Sequence, residues 1–294
     1  MISLQTNVTS LFAQEQLQVN NNAESNTIQQ LTSGYRINSS GDDAAGLAVA
    51  NQLQAGVIQL QQGVINASNA QSTLQTMDGG LSNISNLLDR LQTLATESAS
   101  GTFSGSRTTL NNEYQSVLTE ITRQAGNIGL ASGGPAPTTS GPISTSQYNT
   151  NALSVFIGAG DTTATDNRVT IDLTNGGAGG VTVSGVDATG LNLAGGDVSS
   201  SGDAVTALTA IQAAISDLGT VQGAVGAGEN LLNYATNLAN SQITNLSSAE
   251  SSIKDANIAQ AASNLAQEQT LQQSSIAALA QANAMPGALL KLLQ

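Results

Sequence analysis

One apolar stripe constrains this chain more than any other feature. It reads Leu53, Val57, Leu60, Val64, Ala67, Ala70, Leu74, Met77, Leu81, Ile84, Leu88, Leu91 and Ala95. The steps alternate between four and three residues, with one slip of two consecutive threes at Ala67. That is a coiled-coil repeat carrying a local stammer. The pattern runs on to Ala99, about 50 residues in all, so the helix is expected to be roughly 75–80 Å long. A rod of that length has no compact core of its own. Other helices lying alongside must bury its seam. Asp78-Gly79-Gly80 falls inside it and is expected to weaken or kink it.

The flanks supply those helices. Leu4, Val8, Leu11, Val19, Ala23, Ile28 and Leu31 form a looser stripe that predicts a helix from about Leu4 to Ser33. A turn is expected over Ser98–Ser106, then a helix from about Arg107 to Gly126. From Gly129 to Gly202 the chain is rich in Gly, Ser, Thr and Asn, and the period changes to two. Leu153-Val155-Ile157, Val169-Ile171-Leu173 and Val181-Val183 read as short strands. Helical spacing returns near Asp203 and continues to about Ser248, and a last helix carries Ile258, Ala262, Leu265, Ile276 and Leu279. The element types form a palindrome. The simplest way to bury every stripe is to fold back at the strands. The expected class is mainly α: an elongated antiparallel helical bundle or coiled coil of N- and C-terminal helices, with a small central β region.

Composition narrows the function. Charged residues are 9% and aromatics 2% of the 294 residues, so helices this long keep apolar faces that one partner cannot cover. Those faces are expected to meet other subunits. The net charge of −13, with seven Lys and Arg in all, argues against nucleic acid and against an anionic membrane surface. No apolar run approaches the roughly 20 residues of a membrane span. The start "MISLQTNVTSLF" lacks the basic and apolar regions of a signal peptide. An exported chain is therefore expected to leave by another route than the general secretory one.

The chain has no His and no Cys, which removes Ser-His-Asp, Cys-His and imidazole–zinc chemistry. Asp42 and Asp43 are adjacent, so on a helix their side chains diverge by about 100° and cannot share a cleft. "GGAGGV" (176–181) has Val181 where a calcium roll needs Asp, and "GAVGAG" (223–228) has the wrong order for a dinucleotide loop. No cofactor, metal or catalytic residue is expected. "SGYRINSSGDDAAGLAVAN" (33–51) reads instead as a joint between two rods. Gly34 and Gly41 permit the turn, Arg36 and Asn38 lie within it, and Asp42 or Asp43 caps the long helix.

These same residues carry a family resemblance. "QLTSGYRINSSGDDAAGLAVANQL" resembles the N-terminal signature of bacterial flagellins, and the likeness continues through "LNNEYQSVLTEITRQAGNIG". "ITNLSSAESSIKDANIAQAASNLAQEQTLQQSSIAALAQANAMPGALLKLLQ" resembles their C-terminal signature. The resemblance covers about 1–130 and 203–294 and implies a subunit that polymerises into an extracellular flagellar filament for motility. It further implies an inner coiled-coil domain of residues 1–42 plus 254–294, a joint over 33–46, and a middle rod of 43–253 with a β-rich variable region over 129–202. It implies termini that fold on assembly, and an assembly stripe for which Val8, Leu11, Ile28, Leu31, Ile258, Leu265, Ile276, Leu279 and Leu290 are the candidates. The implied partners are further copies of the chain, an export chaperone, cap and hook-junction proteins, and a vertebrate innate receptor. The implied route is flagellar type III export. The receptor-face positions that match are Arg90, Leu94 and Glu120, while Gln92 and Glu97 depart from the family pattern. The alternatives are a hook–filament junction protein, which shares the terminal helices, and an enzyme carried on such a scaffold.

Overall fold

The computed structural model describes residues 7–132, 152–158, 167–173 and 185–292, without the side chains of 286 and 288–292. Among these, the elements run α1 (Val8–Ser33), α2 (Ala44–Ala99), α3 (Arg107–Asn127), β1 (Leu153–Phe156), β2 (Arg168–Ile171), α4 (Ser201–Lys254) and α5 (Ile258–Leu292). They form two compact units. The first comprises Met1–Val57 with Thr244–Gln294, and the second comprises Ile58–Ile243.

In the second unit the stripe read from the sequence is the core. Leu74, Met77, Leu81, Ile84, Leu88 and Leu91 of α2 are buried, as are Tyr114 and Ile121 of α3 and Ile211, Leu218, Val221 and Val225 of α4. Each such side chain contributes roughly 1.5–3 kcal/mol by leaving water. Asp78-Gly79-Gly80 does not interrupt α2, which is continuous from Ala44 to Ala99. The two glycines differ in surroundings. Gly79 has open space around it, whereas the side chain of Ile128 occupies the position a Cβ of Gly80 would take. Gly80 therefore serves close packing rather than bending.

The strands form one antiparallel hairpin, with Leu153 opposite Ile171 and Phe156 opposite Arg168. Glycines let the helices approach it. A Cβ on Gly63 of α2 would strike the Ile157 backbone, and one on Gly228 of α4 would sit 2.7 Å from the Ile171 side chain. The third expected strand, Val181-Val183, lies outside the described residues. Beyond it, residues 185–198 form turns rather than strands, pinned by Val186 N–H to Leu130 O at 2.8 Å. The buried Asp187 carboxylate accepts from Ser132 N–H (2.9 Å), Ser132 Oγ (2.7 Å) and Gly190 N–H (3.1 Å).

Over one stretch, α4 is apolar and long enough to match a membrane span by length and composition. It holds no unbroken apolar run of that length. A third of that stretch is buried, and Ala204, Ala207, Ile211, Ala214, Leu218 and Val221 of α4 are among the buried residues.

Candidate functional site

The first unit holds the terminal helices, and their seam inverts the usual pattern. Helices α1 and α5 pack together, yet the buried α1 residues are Ser10, Asn20 and Thr27. Each reaches across to α5. Ser10 Oγ donates to the Asn283 side-chain oxygen at 2.7 Å, Asn20 Nδ2 donates to Ser275 Oγ at 2.9 Å, and Thr27 Oγ1 donates to Glu268 Oε1 at 3.0 Å. Asn7 Nδ2 donates to Ala282 O and Gln272 Nε2 to Asn21 Oδ1, both at 2.8 Å. Small Ala261 and Ala282 complete the buried set. Each neutral rung is worth about 1 kcal/mol net, well below a buried leucine. The other Glu268 carboxylate oxygen, Oε2, is buried without a hydrogen-bond partner.

The apolar residues of these helices point elsewhere. Of the expected stripe, Val8 (64%), Leu11 (57%), Ile28, Ile258 and Ile276 are exposed. Leu31, Leu265 and Leu279 are half-buried, and the Leu290 side chain lies outside the described residues. Phe12 (69%) and Val19 are exposed as well. By helical geometry Val8, Leu11, Phe12 and Val19 fall opposite the seam residues Ser10, Asn20 and Thr27. The polar rungs went unnoticed in the sequence because only apolar periodicity was followed. Asn20 and Thr27 stand one heptad apart, and Ser10 lies a heptad plus three before Asn20, a polar a/d-type spacing that is the signal for this seam.

The segment expected to form a joint pairs with a second linker, residues 254–256. Helix α1 ends on Gly34, which takes the left-handed conformation (φ 76°) and donates its N–H to Gln30 O. Gly41 has no such conformation, so of the two expected turn glycines Gly34 alone needs to be glycine on backbone grounds. Tyr35 then bridges Asp255 in antiparallel fashion. Arg36 N–H donates to Lys254 O at 2.7 Å, and Ala256 N–H donates to Gly34 O at 2.8 Å. The Arg36 guanidinium donates to Ile253 O at 2.8 Å and lies 3.8 Å from the Asp43 carboxylate. Lys254 sits over the Tyr35 ring at 4.7 Å and near Glu250 at 3.8 Å. Ile37 is buried beneath.

The two aspartates divide the work. Asp42 Oδ2 accepts from Ser39 N–H (2.8 Å) and Asn38 N–H (3.0 Å), closing the turn. Those backbone donors, Ser39 first, hold the Asp42 carboxyl below its usual range. Asp43 Oδ1 accepts from Gly46 N–H at 2.8 Å, which makes it the cap of α2. The residues of the second linker, Lys254, Asp255 and Ala256, were not singled out from the sequence. Their role depends on a pairing that spacing does not reveal.

Of the three positions expected on a receptor face, Arg90 is exposed and Glu120 half-buried. Arg90 pairs with Glu113, with Nε donating at 2.8 Å. Glu120 is held at about 2 by hydrogen bonds from Arg123 and then Gln124. Leu94 is not on the outer face: its side chain is fully buried, because it joins Leu91 and Ala95 on the core side of α2. Among the described residues no group of His, Cys, Asp and Glu is placed to hold a metal.

Comparison with known proteins matches both ends of the chain. Residues 4–128 fit the bacterial flagellin N-terminal helical region, and residues 208–293 fit the C-terminal helical region. The flagellin of Listeria innocua is 33% identical, with 99% of each chain covered. That of Halalkalibacterium halodurans is 28% identical, with 98% of each covered. A crystal structure of Bacillus cereus flagellin aligns over 63% of this chain at 24% identity and a TM-score of 0.43.

Proposed function

The chain belongs to the bacterial flagellin family, and from that premise we propose how its parts build the structure the family is named for. It is a structural subunit that polymerises in many copies into the flagellar filament, an extracellular appendage serving motility. Helices α1 and α5 form the inner domain, and their outward apolar residues pack between subunits. The observation that carries this reading is the inverted pair itself. Polar rungs fill the α1–α5 seam while Val8, Leu11, Phe12, Val19 and Ile276 face solvent. A lone pair of helices gains little from that arrangement, whereas a polymer buries the exposed apolar face and keeps the rungs.

Residues 1–42 and 254–294 act as the inner domain, residues 43–253 as the middle one, and residues 33–46 as the joint between them. Export follows the flagellar type III route, with a chaperone holding the C-terminal segment. Cap and hook-junction proteins meet the same terminal helices. An innate receptor, where one binds, reads the face bearing Arg90 and Glu120. The chain carries no catalytic role. Seeded growth tests the reading. Leu11→Asp with Phe12→Asp, or Ile276→Asp, should abolish elongation from wild-type seeds while free-subunit helicity is unchanged. Normal elongation of both variants would refute it.

A further inference from the structure

Apolar burial does not decide how α1 and α5 align along each other. Val8, Leu11, Phe12, Val19, Ile258 and Ile276 are exposed, and the buried residues of the seam are Ser10, Asn20, Thr27, Ala261 and Ala282. A slip of α5 by seven residues would move it about 10 Å along α1 and turn it by only about 20°. The same face of each helix would stay inward, so helical periodicity does not oppose such a slip.

The polar rungs do oppose it. In the observed register Ser10 meets Asn283, Asn20 meets Ser275 and Thr27 meets Glu268. One heptad earlier on α5, the residues opposite these three are Ile276, Glu268 and Ala261. One heptad later they are Leu290, Ala282 and Ser275. Either slip sets two of the three buried α1 groups against an apolar residue. A buried polar group without a partner is strongly disfavoured. Of the three heptad alignments, the observed one alone pairs every rung.

We propose that the rungs are a register code: Ser10, Asn20 and Thr27 select the one alignment in which α1 and α5 pair, independently of the linkers at Tyr35 and Asp255. Polar residues at coiled-coil core positions act in this way, giving up stability for a single register. The consequence reaches the outward residues. Register sets where Leu11 and Phe12 of α1 stand along the pair relative to Ile276 of α5, so a slipped pair would present a different apolar surface. Register belongs to the pair itself and is set whether or not the chain polymerises.

Disulfide trapping in the full chain tests the code, since the chain has no cysteine of its own. Four glycines inserted between Ala256 and Asn257 reach about 13 Å, which frees α5 to slide by a heptad and keeps the Asn257 side chain on Gln260 N–H. Gln272 donates to Asn21 across the seam at 2.8 Å, and Leu265 and Leu279 stand one heptad to either side of Gln272. Asn21→Cys is combined in turn with Gln272→Cys, Leu265→Cys or Leu279→Cys. Oxidised glutathione closes the bond, and the monomer band is read on a non-reducing gel. With the rungs intact, the position-272 pair should yield at least about tenfold more disulfide than either other pair. With Asn20→Leu, Ser275→Leu, Thr27→Leu and Glu268→Leu added, the three yields should come within about threefold of one another. Equal yields with the rungs intact would overturn the code, and so would an undiminished preference without them. Loss of all three disulfides in the leucine variant would overturn it too, by showing that the rungs hold the pair together rather than align it. The milder Asn20→Leu with Ser275→Leu should lower the preference about threefold, and no change there would also count against the code.

Discussion

Thr27 donates to Glu268 across the α1–α5 seam at 3.0 Å, where packed helices ordinarily place leucine against leucine. Thr27→Val leaves a part-buried carboxylate with neither oxygen satisfied. The expected cost is about 1–2 kcal/mol, seen as faster amide exchange in α1 and α5. Adding Glu268→Leu should recover most of it, because the double variant replaces both partners by apolar groups. A double variant no better than Thr27→Val would show that the rung does not bear on the pair.

Asp43→Ala removes the α2 cap and should cost about 1 kcal/mol, with Asp43→Asn costing much less. The readouts are thermal melting and amide exchange at residues 44–47. Asp42→Ala should act at the turn over 38–39 instead and leave the first turn of α2 protected.

The Asp42 turn also has a pH window. Its carboxyl is held below its ordinary 3.8 in the folded chain. Its contribution is therefore complete above 3.8 and is lost as pH falls through the lower folded value. Amide protection at Asn38 and Ser39 should decline only under strong acid and should be absent at every pH in Asp42→Ala.

Glu120 titrates at about 2. In Arg123→Ala it should move toward its ordinary 4.5, as measured by carbon-13 shifts of the carboxyl. Melting at neutral pH should barely change, because the pair is exposed and solvent screens it.

Three glycines in the two long helices should respond differently to alanine. Gly79 faces open space, so Gly79→Ala should stabilise by up to about 1 kcal/mol through helix propensity. Gly80→Ala meets Ile128, and Gly63→Ala meets the Ile157 backbone. Both should destabilise, with Gly63→Ala also releasing the hairpin. Chemical denaturation of the three variants checks the order.

Much of this architecture was legible in the sequence. The stripe from Ala67 to Ala95 is buried as read, with Leu60 buried and Val64 half-buried before it, because a sustained four-three repeat leaves one helical solution. Gly79 and Gly80 leave α2 unbroken. A helix clamped along its whole seam tolerates glycines that would bend a free one. The α1–α5 seam stayed hidden for a different reason. Periodicity tells which residues share a face, not which neighbour covers that face. Val8 and Leu11 share a face with each other but turn it away from α5. The cap was recognisable in kind, but assigning Asp43 to it and Asp42 to the turn needed the geometry at Gly46 and Ser39.

The bridge between Tyr35 and Asp255 sets a phase. Arg36 to Lys254 and Ala256 to Gly34 fix one linker against the other by a single backbone register. A slip of one residue in either linker would rotate its helix by about 100° relative to its mate. Ser10, Asn20 and Thr27 would then swing off Asn283, Ser275 and Glu268 together, and the outward apolar residues would turn with them. The paired linkers thus act as an index mark, fixing which side of α1 faces α5 and which side is left outward.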